Sequence, residues 1–263
     1  MKPKDGFDAA MERVNHLLLL YDVLHNTRSR RIRKDWAASF LDLMRWPKGE
    51  AIVRVDGKDK QSLLILRPGL GVDHTRFTHD YLSELLRSAI VATVAALDRY
   101  VHDLVLHHSW ALLCRPEGSI PPELKKLSLP VLATKQALER LRSDSGARPG
   151  HLVKAALQEH LHRDHTFQRP DDLARAAKML GVEDFWGEVA KLMPGRTDKG
   201  QVIEKLRTVV TRRNQIVHEA DIHRKTKAKK ITLRDISRTT AEDWCAWTRS
   251  LVSAIDKVVA AAV

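Results

Sequence analysis

The sequence has 263 residues, of which 43% are hydrophobic, so it can bury a substantial core and is not a disordered chain. Its formal net charge of +12 favours a polyanionic partner, nucleic acid before an anionic membrane surface. The two cysteines, Cys114 and Cys245, lie far apart, which argues against a disulfide framework and a cysteine-rich zinc site. The longest apolar run near the N-terminus, Leu17 to Leu20, is too short for a membrane span and lacks a signal-peptide cleavage pattern. We therefore expect a cytoplasmic protein without membrane contact.

The N-terminal part predicts helices and one hairpin. Apolar residues at helical spacing predict a helix over Phe7–His25 and a second over Asp35–Trp46. The basic tract between them, residues 28–34, is typical of a solvated connector, with phosphate contact as the alternative. Two β-prone runs within residues 51–66 flank the turn signal Asp56-Gly57 and predict a small hairpin on a helical body.

The rest of the chain predicts helices alone. The longest periodic segment begins at Thr78, a suitable N-cap, continues to Leu113, and should be the central core helix. Shorter helices are predicted over Val131–Arg142, His151–Arg163, Pro170–Leu180 and Phe185–Leu192. Capping patterns that begin at Asp198 and Thr239 predict two final helices, which should end near Ala220 and Val259.

These elements predict an all-α fold with a small β-hairpin insertion near residues 51–66. We expect an N-terminal helical extension over residues 1–77 and a helical domain over residues 78–263, packed as one unit.

An arginine interrupts the apolar stripe of the helix that begins near Lys199. Arg213 stands where the spacing calls for an aliphatic residue, so it must meet an internal acid, a carbonyl, an anionic ligand or a second subunit. Asn214 and His218 lie four residues apart on one face next to it. Because histidine titrates near neutrality and arginine stays charged, the group suits phosphodiester cleavage. In the alternative, Arg213 pairs with an internal acid such as Asp98 or Asp103, and His218 only ends the helix.

The segment RRNQIVHEAD, residues 212–221, resembles the R-x4-6-H signature of the HEPN superfamily. The long helix around residues 95–103 and the stretch Asp184-Phe185-Trp186 are similar to its RiboL-PSP-HEPN branch. The resemblance covers roughly residues 80–260. It implies an HEPN-like helical bundle that is active as a homodimer, in which the signature helices of two protomers form one composite cleft.

The chemistry that this resemblance implies is metal-independent cleavage of RNA by attack of the ribose 2′-OH, without a cofactor. Arg213 would bind the scissile phosphate, and His218 would be general base or acid while its symmetry mate takes the opposite role. Asn214 would orient them. The resemblance also suggests a toxin or defence effector, with an antitoxin or other protein partner. The alternative is a non-catalytic HEPN module that binds RNA or a protein.

Helix geometry gives a separate reason to expect a dimer. Residues five apart on an ideal helix point about 140° away from each other. A single helix is therefore not expected to aim both Arg213 and His218 at one phosphate, whereas a two-fold interface could do so.

A basic run after the signature, residues 224–238, is either a solvated loop or an RNA-backbone clamp. We predict RNA contacts from Arg212, Arg224, Lys225, Lys227, Lys229 and Lys230.

The string HLHRDH, residues 160–165, spells the H-x-H-x-D-H metal-binding pattern of metallo-β-lactamase-like hydrolases. Helical spacing precedes it, and the β segments of that fold are missing, so we expect no metal ligands here. A metal-dependent hydrolase is the third functional alternative.

Overall fold

A computed structural model describes residues 2–30, 32–47, 52–57, 63–66, 74–127, 131–143, 149–195, 197–223 and 232–263. The helices are α1 (Pro3–Leu24), α2 (Lys34–Leu43), α3 (His79–Leu113), α4 (Pro122–Lys125), α5 (Val131–Ser143), α6 (Pro149–Asp164), α7 (Pro170–Met179), α8 (Phe185–Leu192), α9 (Lys199–Glu219) and α10 (Arg238–Ala262). The strands are β1 (Asn26–Arg30), β2 (Val53–Gly57) and β3 (Leu63–Leu66). The all-α prediction is confirmed. None of the described helices is long and apolar enough to cross a bilayer.

The central helix is α3, as predicted. Its apolar residues are buried on several sides, with Leu86, Val94 and Val105 fully enclosed, and it packs against α1, α6, α9 and α10. A helix that is apolar on several sides is stable only when other elements surround it. The position of α3 therefore determines where the other long helices lie.

One face of α1 packs along α3. Phe7, Met11, Val14, Leu18 and Tyr21 recur at helical spacing, are all buried, and belong to the same hydrophobic cluster as the α3 residues. The division into residues 1–77 and 78–263 stays a prediction.

A three-stranded antiparallel sheet in the order β1-β2-β3 confirms the hairpin and adds one strand. Asp56-Gly57 lies within β2 and not at its turn, since Asp56 pairs with Leu63. The connector predicted over residues 28–34 is wrong at its start, because Arg28–Arg30 pair with residues 54–56 of β2. A strand that is held by backbone pairing does not need apolar alternation, so its basic composition concealed it.

The predicted caps are confirmed at α9 and wrong at α10. Asp198 and Gln201 form the reciprocal capping box that opens α9. Helix α10 begins earlier than predicted, because the Ser237 side chain accepts a hydrogen bond from the Thr240 backbone N–H at 3.0 Å.

The two thiols differ in environment, so their reactivity can test the packing of α10 on α3. Cys114 is exposed, whereas Cys245 is buried with its Sγ 3.2 Å from Thr93 Oγ1, and burial raises the pKa of its thiol. In native protein at pH 8, we expect one thiol to react promptly with Ellman's reagent and the second only after unfolding. Cys114→Ser should abolish the fast phase. Two fast phases in the native state would contradict this packing.

Candidate functional site

The arginine on the buried face of α9 is Arg212. Val202, Leu206 and Val209 pack into the core, and Arg212 continues this face with 9% of its surface exposed. Arg213 is only half-buried, so the prediction that it stands on the packing stripe is wrong. An arginine can replace an aliphatic residue here because its guanidinium forms an ion pair with a buried acid, Asp221.

Asp221 binds two arginines in the interior. Arg212 donates to Asp221 Oδ1 at 2.5 Å and to Oδ2 at 2.9 Å, and Arg87 of α3 donates to Oδ2 at 2.5 Å. Arg87 and Arg212 also donate to the Arg234 carbonyl, at 2.9 and 3.3 Å. Burial lowers the pKa of Arg212 while the Asp221 charge opposes this effect. The network ties α3, the end of α9 and the segment before α10 together.

The chain leaves α9 through a strained turn. Ala220 and Asp221 have φ values of +48° and +56°, in the left-handed region that residues with a side chain rarely adopt. The Asp221 backbone N–H donates to the Gln215 carbonyl at 3.0 Å, which closes the helix end. The ion pairs of Asp221 hold this turn in place. His218, in the last turn of α9, is therefore attached to a fixed backbone.

A cleft of about 610 Å³ lies between the second half of α9 and the segment that joins α6 to α7. Arg213, Asn214 and His218, the three predicted catalytic residues, all line it. A cleft of this size is much larger than one phosphate, so the expectation that one helix does not aim both Arg213 and His218 at the same phosphate stays a prediction. The dimer expected on that ground also stays a prediction.

Arg213 has no acid partner within the described residues. It donates to Asn214 Oδ1 at 3.0 Å, and its Nε is buried without a hydrogen bond. The alternative ion pair of Arg213 with Asp98 or Asp103 is not formed, because Asp98 accepts from the Phe167 backbone N–H and Asp103 binds Arg99. A guanidinium without a counter-ion at the wall of a cleft is suited to an anionic ligand.

His218 is exposed, and no side-chain hydrogen bond links it to the rest of the described structure. The expected contact between Asn214 and His218 is not formed, since the recorded side-chain bond of Asn214 goes to Arg213. The imidazole is thus free to meet a ligand, but nothing in the described residues selects its tautomer.

Sequence reasoning missed the opposite wall of the cleft. Residues 166–172 contribute polar side chains, namely Thr166, Gln168, Arg169 and Asp172. In the sequence, these polar residues stand on either side of apolar Phe167 and just before Pro170, which opens α7. That pattern does not indicate a binding site. A short linker of this kind has no chemical signature of its own.

The predicted RNA-binding residues are mostly untested. Arg224, Lys225, Lys227, Lys229 and Lys230 lie outside the described residues. Arg212 is buried against Asp221, so we remove it from the proposed RNA-binding set. Two further arginines of the same basic run, Arg234 and Arg238, form ion pairs with Glu219 and Asp22.

The HLHRDH string forms the end of α6 and the start of the linker. His160 Nδ1 lies 2.7 Å from Asp164, and the His162 ring stacks on His102 with centroids 4.7 Å apart. The part of the chain that the structure describes contains no group of three or more histidine, cysteine or acidic residues placed to hold a metal ion.

The RiboL-PSP-HEPN family model matches residues 72–261, which include the central helix, the cleft and the signature. The chain belongs to the RiboL-PSP-HEPN family. No curated protein and no solved structure matches it. In this HEPN chain the R-x4-H signature corresponds to Arg213 and His218, and the preceding arginine belongs to the buried network.

The Asp221 network gives a stability prediction. Asp221→Asn should lower the free energy of unfolding by about 3–5 kcal/mol, because it leaves two guanidinium groups buried without a carboxylate. Asp103→Asn, which breaks only the exposed pair with Arg99, should cost less than about 1 kcal/mol. Urea denaturation monitored by circular dichroism measures both. Equal losses in the two variants would show that the buried network is not the stronger constraint.

Proposed function

We propose that this HEPN chain is an endoribonuclease that cuts RNA in the cleft lined by Arg213 and His218. The observation that carries the proposal is that both side chains line one open cleft, where Arg213 has no acid partner among the described residues. The net charge of +12 favours a polyanionic substrate. Family membership makes an RNA-cleaving activity the first to test.

The proposed reaction needs a phosphate-binding cation and two proton transfers. Arg213 binds the scissile phosphate and stabilises the extra negative charge of the transition state. The ribose 2′-oxygen attacks phosphorus as a base removes its proton, and the departing 5′-oxygen receives a proton from an acid. The products are a 2′,3′-cyclic phosphate and a 5′-hydroxyl. His218 performs one of the two transfers, and no metal or cofactor takes part.

The second transfer is assigned to His218 of a second copy of the chain. Of the described residues that line the cleft of one protomer, His218 alone carries an imidazole. Val217, the neighbour of His218, is 45% exposed and offers apolar surface for contact between protomers. A homodimer that buries Val217 would bring two His218 side chains toward a shared site.

In its biological role, we propose that the enzyme is a cytoplasmic toxin or defence effector whose activity an antitoxin or other partner protein restrains. The second candidate is a non-catalytic HEPN module that binds RNA or a protein. The observation that favours it is that no side-chain hydrogen bond within the described part of the chain orients His218, since a general base is normally held in one tautomer by a neighbour.

Cleavage assays distinguish the nuclease from the non-catalytic binding module. His218→Ala should lower the cleavage rate by about 10²–10⁴-fold, and Arg213→Ala by about 10²–10³-fold, because each removes a group that acts in the transition state. Cleavage should persist in excess EDTA and fail on a 2′-deoxy substrate. The product ends can be identified by mass spectrometry.

Matched controls are available on exposed helix faces. Arg207→Ala on α9 removes a surface arginine near Glu204, and His16→Ala on α1 removes a surface histidine. Both should cut RNA at the wild-type rate, with all variants equally folded by circular dichroism. Loss of cutting in EDTA would favour a metal-dependent hydrolase, and RNA binding without any cutting would favour the passive module.

The dimer is tested separately. Val217→Asp should weaken self-association by about tenfold or more, because it would bury a carboxylate without a partner. Leu138→Asp on α5 is the control, since Leu138 is similarly exposed at 53% but lies on a different helix from His218. Sedimentation velocity across a concentration series measures both. A protein that remains monomeric at concentrations where it cuts RNA would refute the composite site.

A further inference from the structure

We infer that Arg169 is a second phosphate-binding residue, located on the wall of the cleft opposite α9, and that the cleft holds two phosphates of one RNA strand. This inference rests on the proposed function and specifies how the substrate is bound. Thr166, Gln168 and Arg169 line this wall, which we name the linker wall (residues 165–169).

The linker wall is built into the fold and is not a loose surface loop. The Phe167 side chain is fully buried, and its backbone N–H donates to Asp98 Oδ1 of α3 at 2.5 Å. Pro170, which opens α7, is also buried. Arg169 thus follows one anchored residue by two positions and directly precedes another, so the backbone that carries its guanidinium is fixed before any ligand arrives.

The charges in the cleft favour an anion. Two acids line it, but each has a cation of its own: Glu219 is paired with Arg234 at 3.3 Å, and Arg175 lies 4.0 Å from Asp172. Arg169 and Arg213 have no ion pair within the described residues. The two unpaired guanidinium groups therefore give the cleft a local excess of positive charge.

A single RNA strand matches this arrangement. Its phosphates repeat along one chain, so a strand that crosses the cleft can place the scissile phosphate at Arg213 and a neighbouring phosphate at Arg169. The Thr166 hydroxyl and the Gln168 amide can bond to the 2′-hydroxyl or to base edges. The described residues that line the cleft include no phenylalanine, tyrosine or tryptophan, so base stacking on them is not part of this binding mode.

The experiment measures the binding of a fluorescein-labelled 2′-O-methyl RNA oligonucleotide, which cannot be cut, as a function of salt concentration. Arg169→Ala should weaken binding about tenfold and reduce the slope of log affinity against log salt by about 0.7, the value for one contact to a single strand. Arg169→Lys should restore the slope, because it keeps the charge. Arg207→Ala is the matched control and should retain both the affinity and the slope of the wild type.

Kinetics provide a second readout. With a cleavable RNA, Arg169→Ala should raise KM while changing kcat less than Arg213→Ala does, because Arg169 holds a phosphate that does not react. An unchanged salt slope in Arg169→Ala would overturn the inference even if the wild type cuts RNA. Conversely, if the wild type does not cut but Arg169→Ala reduces the slope, the second phosphate contact stands and the proposed nuclease fails.

Discussion

The buried carboxylate of Asp221 holds the site in place. It accepts hydrogen bonds from Arg87 on the central helix and from Arg212 on the signature helix, and the same arginines bind the backbone that leads into α10. Two buried guanidinium groups on one acid would be unfavourable without this shared geometry. The network fixes the end of α9 in the interior, so Arg213 and His218, which form no ion pair among the described residues, are available for a ligand at the cleft.

Adjacent arginines of the signature thus have opposite roles. Arg212 turns inward and contributes to the fold, whereas Arg213 lines the cleft and, among the described residues, donates its side-chain hydrogen bond to the Asn214 amide. A guanidinium that is already neutralised contributes little to the binding of an anion, while an uncompensated one can bind a phosphate. This difference explains why one arginine cannot take over from the other, although they are neighbours in sequence.

Periodicity was enough to predict most of the helices. The apolar spacing of α3 and the capping box of α9 are local signals, and both agree with the structure. The burial of Arg212 was not predictable in the same way, because its partner Asp221 lies beyond the end of the helix. The left-handed turn that brings Asp221 back to Arg212 contains no glycine that would have indicated it. The linker wall was missed since its role depends on Phe167 reaching Asp98, a contact between residues far apart in the chain. The strand β1 was missed because pairing with β2, and not its own composition, makes it a strand.

Because α1 packs on α3, the segment that matches the family cannot be separated from α1 without exposing apolar surface. The family match begins at residue 72, yet the side of α3 that α1 covers belongs to the same hydrophobic cluster as the rest of the domain. If the chain were truncated to the matched segment, that apolar surface would face water. In this protein the first helix therefore acts as a built-in cover for the domain, and grafting the matched segment alone into another protein would require a substitute helix.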